Sequence, residues 1–100
     1  MQVSVRATPQ QREFFIKGDF TTQDEKAFFD VFVQIRSMTE PLLVFNLAQC
    51  SFVDPAAMGM LVVAYEEAAK RNISRVIYQA SPSVEKILKS AVLDRFYLFQ

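Results

Sequence analysis

Apolar and polar residues alternate at the start of the chain. Val3, Val5 and Ala7 are separated by Ser4 and Arg6, the two-residue period of a half-buried strand, until Thr8-Pro9-Gln10 interrupts it. The pattern resumes over residues 13–17 around Phe14, Phe15 and Ile16, which predicts two adjacent strands joined by a short turn. Gly18-Asp19 breaks the run. Thr22-Gln23-Asp24-Glu25 then sets a hydroxyl three residues ahead of a carboxylate, the arrangement of a capping box, and predicts a helix start. Ala27, Phe28, Val31, Phe32 and Ile35 share one face of that helix, while Phe29 and Val33 lie off it and read as core or sheet-edge cover, with an interface as the alternative. Glu40-Pro41 ends the segment.

Residues 42–47 are continuously apolar apart from Asn46, which predicts a strand covered on both faces and central in its sheet. Cys50 falls in the loop that follows. Asp54-Pro55 is an N-cap acceptor followed by proline at the first helical position, and the helix it opens is predicted to run to about Arg71. Its expected inward face is Met58, Leu61, Val62, Tyr65, Ala68 and Ala69. Pro55, Ala56, Gly59, Met60 and Val63 are expected on the outward side, an apolar cluster with the character of a docking patch. Residues 75–80 read as the next strand. Ser81-Pro82 repeats the cap-plus-proline device ahead of a helix packed by Val84, Ile87, Leu88 and Ala91, and residues 96–99 as a last short strand. The order β-β-α-β-α-β-α-β makes this an α/β chain with a mixed sheet, parallel inner strands and helices packed on it. At 100 residues, with no linker or repeat, it is expected to be one domain, 1–100.

Composition narrows the chemistry. Lys plus Arg equals Asp plus Glu, 11 against 11, so no net field favours nucleic acid or anionic lipid. Histidine is absent and there is one cysteine, which removes the usual zinc ligands and the imidazole of most hydrolytic sites. A single thiol forms no internal disulfide and suits a reducing compartment. No segment approaches the roughly 18 consecutive apolar residues of a membrane span, so a cytoplasmic domain without direct membrane insertion is expected. Asp24 and Glu25 are accounted for by a helix start, and Cys50 by packing, so no catalytic residue, metal site or cofactor is expected.

Several stretches, taken in order, resemble the STAS family, the domain of anti-sigma-factor antagonists and of sulfate-transporter tails. Gly18-Asp19-Phe20 stands where the family has a glycine after its second strand. Residues 43–54 match its hydrophobic strand and the loop ending in aspartate. Ala80-Ser81-Pro82-Ser83-Val84 through Leu88, then Leu93-Asp94-Arg95-Phe96, match its closing signature. The family's switch is an aspartate, two small hydroxyl residues and Gly-Leu-Gly, and a partner kinase phosphorylates the second hydroxyl. Here the stretch reads Asp54-Pro55-Ala56-Ala57-Met58-Gly59, so the phosphoacceptor position is Ala56. The family's glycine after its third helix falls at Val92, a β-branched residue that resists the left-handed conformation, and a differently built turn is expected there. Many relatives continue past the position of Gln100 into a further helix, so a less covered sheet or helix face is also expected.

The resemblance implies a non-enzymatic, protein-binding domain similar to an anti-sigma-factor antagonist in a partner-switching pathway. Its partner would be a kinase-fold anti-sigma factor, docking through Asp54, Pro55, Ala56, Ala57, Gly59, Met60 and Val63. Without a phosphoacceptor such a chain would be held in its binding-competent form. The alternative keeps the fold and changes the role, to a small STAS subunit that braces the ATPase of a phospholipid-trafficking ABC transporter. Either role leaves room for a homodimer.

Overall fold

Strand β1 (Gln2–Ala7) and strand β2 (Arg12–Phe20) form the predicted antiparallel hairpin in a computed structural model that describes residues 1–100. Helix α1 (Glu25–Ser37) leads into β3 (Leu42–Asn46), and a fourth strand, β4 (Cys50–Val53), follows before helix α2 (Pro55–Lys70). Strand β5 (Ser74–Tyr78), helix α3 (Pro82–Ser90) and a two-residue strand β6 (Leu98–Phe99) complete the chain. The sheet order is β1-β2-β3-β5-β6, parallel from β2 onward, so β3 is central as its unbroken apolar run predicted.

All three helices share one core with one face of the sheet. Phe14 and Ile16 of β2, Phe45 of β3 and Ile77 of β5 meet Phe28 of α1, Leu61 of α2 and Leu88 of α3 there, all essentially without solvent exposure. Aromatic rings hold its centre: Phe28 lies 4.9 Å from Phe20 and 5.8 Å from Phe45 between ring centroids. On the opposite face Val44 and Val76 are also buried, and the Asn46 Nδ2 amide donates to Glu13 Oε2 at 3.0 Å.

Strand β4 replaces the expected loop. It pairs with β2 beyond β3, through a register shift between Gly18 and Asp19, so the glycine that ends the apolar run does not end β2. Gly18 sits at φ +91, a conformation that glycine adopts without a Cβ penalty. Cys50 is therefore a buried strand residue, and desolvation raises its thiol pKa.

The capping box forms one residue earlier than its sequence signature. Asp24 accepts from the Thr21 N–H at 2.8 Å, and the Thr21 hydroxyl oxygen accepts from Gln23 N–H at 3.3 Å. A single 3₁₀ turn, Thr22–Asp24, then precedes α1. In α1, Phe28, Val31 and Ile35 are buried as predicted and Phe32 packs partly on the core, but Ala27 is exposed. Phe29 and Val33, read as cover, are 55% and 46% exposed.

Helix α2 is rotated from its expected setting. The buried set is Ala57, Met60, Leu61, Ala64 and Ala68, while Met58, Val62, Tyr65 and Ala69 are only partly covered. Its sequence is apolar almost all round until Glu66, so the period left the inward side underdetermined and packing chose the line that faces both α1 and the sheet.

The turn after α3 also differs from expectation. Val92 does adopt the left-handed conformation, at φ 66 and ψ 25, with its N–H on the Lys89 carbonyl at 3.0 Å. The chain must reverse there to return Leu93 and Tyr97 to the core, and their burial offsets the local strain.

Candidate functional site

The N-terminus of α2 is built by Asp54. Its backbone is extended, at φ −93 and ψ 172, while Oδ1 accepts the Ala57 N–H at 2.8 Å. Pro55 carries no N–H to satisfy, and the first α-helical bond closes from Met58 N–H to the Asp54 carbonyl at 3.1 Å. The other carboxylate oxygen is engaged across the fold. Oδ2 accepts from the Thr22 N–H at 2.9 Å and from its hydroxyl at 3.2 Å. These bonds, from Ala57 first and Thr22 next, hold the Asp54 carboxyl below its usual range. The positive end of the helix is thus already met by a fixed anion.

Around that end the expected docking residues divide. Pro55, Ala56, Gly59 and Val63 are exposed and Asp54 is partly covered. Ala57 is fully buried and Met60 is 8% exposed, both within the core, so neither offers a side chain to solvent as the outward placement of Met60 required. Gly59 opens onto free space, with nothing within 4 Å of where a Cβ would stand. A partner could approach the helix backbone closely there.

The structure adds residues that the one-dimensional pattern placed elsewhere. The Arg36–Glu67 pair, at 3.5 Å, and the Arg71 guanidinium on the Ile35 carbonyl, at 2.8 Å, set α1 alongside α2. Helical spacing from Arg36 places Phe29 and Val33 along the α1 rim of this seam, and spacing from Glu67 places Val63 and Ala56 along the α2 rim. Phe29, Val33 and Val63, each 40% exposed or more, thereby join Ala56 and Gly59 in one apolar strip. Exposure of a phenylalanine on a helix beside an apolar helix is the signal, and it exists only once the pairing of α1 with α2 is known.

This surface offers exposed apolar contact area. It holds no hydroxyl at positions 55–57, its carboxylate is saturated with hydrogen bonds, and no group of three or more His, Cys, Asp or Glu side chains could hold a metal ion. The nearest sizeable groove, about 1080 Å³ over Gln23, Lys26, Phe29 and Asp30, is open and shallow. No helix is long and apolar enough to cross a membrane.

Comparison with known proteins places these features. The family model described as the STAS domain matches residues 2–100. No curated protein sequence matches the chain. Among solved structures, an anti-sigma factor antagonist from Mycobacterium paratuberculosis superposes with a TM-score of 0.85 at 15% identity, covering 98% of this chain and 83% of that one. The unphosphorylated anti-sigma factor antagonist SpoIIAA gives 0.83 at 15% identity, over 99% and 88%. The STAS domain of a SulP transporter from Vibrio cholerae gives 0.63 at 19% identity, over 82% and 67%. At these identities the likeness is one of fold.

Proposed function

This chain belongs to the STAS domain family, and on that footing we propose that it is a non-enzymatic regulatory domain that binds a protein partner through the N-terminal half of α2. The observation that carries the reading is the exposed strip of Pro55, Ala56, Gly59 and Val63, extended by Phe29 and Val33 and anchored by the doubly engaged Asp54. A surface of small and apolar groups on a rigid helix end suits a partner that packs closely and excludes water.

The partner chemistry that fits best is that of an anti-sigma factor of the kinase fold, by likeness to the antagonists of the same fold. Ala56 has no hydroxyl to esterify, so binding would not be released by phosphorylation at this turn. Control would then come from the amount of protein or from a competing chain. The domain acts in the cytoplasm in this reading.

Titration of the purified chain against the kinase-fold anti-sigma factors encoded in its own genome tests the proposal. Saturable one-to-one binding that is lost with Val63→Asp supports it. Failure to bind any of them, together with stoichiometric recovery of an ABC-transporter ATPase from native lysate, overturns it in favour of the transporter role.

A further inference from the structure

Strand β1 is an edge, and its free side is a complete hydrogen-bonding template. The Thr8 N–H donates to the Gln11 carbonyl at 2.8 Å, which fixes the phase of the antiparallel ladder whose register pairs Ala7 with Arg12 and Gln2 with Lys17. Bonded and non-bonded pairs alternate in such a ladder, so Arg6, Ser4 and Gln2 exchange bonds with β2. The N–H and C=O groups of Val3, Val5 and Ala7 therefore point away from it, to the open edge.

Nothing blunts this edge. The strand is six residues long, without proline or bulge, and carries one charge, Arg6. Proteins usually protect an exposed edge by just those devices, or by covering it. The opposite edge, β6, is only two residues long. On the helix side of β1 the row Val3, Val5 and Ala7 is apolar, and Val5 is 44% exposed.

We propose that β1 pairs with β1 of a second copy of this chain, antiparallel about a two-fold axis at Val5, to continue the sheet across a homodimer. In that register Val3 of one copy faces Ala7 of the other, Val5 faces Val5, and all three pairs are of the bonded kind, giving about six main-chain hydrogen bonds. Register by register, the strand is its own complement. The lone charge avoids itself, because Arg6 falls opposite Ser4, and Arg6 is in any case adjacent to Glu13 of β2 in its own copy. Two copies of zero net charge do not repel. The axis runs through the sheet, so both sets of helices stay on one side and the α2 strip remains free. The pairing is accordingly compatible with partner binding and independent of it.

Sedimentation equilibrium on the whole chain tests this. The weight-average mass is expected to rise from 11.5 kDa at about 1 μM toward twice that value near 1 mM, the range of a small interface. Val5→Lys and Val5→Glu place like charges face to face at the axis, and each alone is expected to stay monomeric. Their equimolar mixture is expected to recover the dimer. Leu98→Lys, at the other edge, is expected to dimerise as the wild type does. Circular dichroism confirms that each variant is folded, and the exposed side chain of Val5 makes that the expected result. A wild type that stays monomeric to about 1 mM, or a Val5→Lys chain that dimerises undiminished, overturns the proposal.

Discussion

Asp54 and Thr22, 32 residues apart in sequence, are joined by two hydrogen bonds of 2.9 and 3.2 Å to a single carboxylate oxygen. The tie locks the first turn of α2 to the turn that launches α1, so the two helices that form the candidate surface start from one shared anchor. The capping box sits one residue before this tie: the Thr22 hydroxyl donates to Asp54, while the Thr21 hydroxyl oxygen accepts from the Gln23 N–H.

Asp54→Asn keeps one oxygen to cap α2 but replaces the other with an NH2 group that cannot accept from Thr22, and the loss of that tie and of the charge is expected to lower the melting midpoint at neutral pH by about 5 °C. The pH dependence has a definite sign. The folded carboxyl titrates below its usual value of 3.8, so its contribution is present above that value and disappears as pH falls through the folded pKa. The difference between wild type and variant should thus be full at about pH 7 and close toward about pH 2. Melting curves across that range check it, and a difference that persists in acid would show that the carboxylate is not the stabilising group.

Ala56→Glu separates folding from binding. At the second helical position an acidic side chain interacts favourably with the helix dipole, so stability should stay within about 1 kcal/mol of wild type. Desolvating the new carboxylate against a partner without a matching cation should weaken binding by at least about 100-fold. Lys86→Glu, exposed on α3, is the charge control. Isothermal titration and thermal melts on the same preparations give both readings.

Val92→Gly should stabilise the domain. A side chain in the left-handed region costs about 1–2 kcal/mol, and glycine gives back about 0.5–1 kcal/mol through its freer unfolded chain. With the valine side chain 44% exposed, little apolar burial is lost. Urea denaturation should show a net gain of about 0.5–1 kcal/mol with an unchanged slope.

The phenol of Tyr97 donates to the Leu61 carbonyl at 2.6 Å in the core, which ties the segment before β6 to the middle of α2. Burial pushes this phenol well above the usual tyrosine pKa. Tyr97→Phe keeps the ring and its contact with Phe45, so the loss should be confined to about 0.5–1.5 kcal/mol, again read from urea denaturation.

The sequence by itself determined those elements whose signal is local. Asp54-Pro55 and Ser81-Pro82 start helices because an acceptor and a proline satisfy a first turn without help from the rest of the chain. Phe28, Val31 and Ile35 mark the inward face of α1 because they recur at helical spacing, and the apolar run of β3 could be covered only at the centre of a sheet. The absence of a hydroxyl at positions 55–57 was equally legible. Tertiary structure alone decided the rest. Strand β4 has four residues and exists through its pairing with β2 beyond the Gly18 shift, a partnership with no local signature. Helix α2 is apolar on nearly every side, so its neighbours selected Ala57 and Met60 for the core and left Val63 and Gly59 outside. Phe29 and Val33 became surface because α1 had a full stripe without them and α2 closed only its flank. Val92 took a conformation that its own side chain resists, since the energy of returning Leu93 and Tyr97 to the core exceeds the strain of one turn. In each case the deciding interaction joins residues far apart in the chain, and a period counted along one segment carries no information about it.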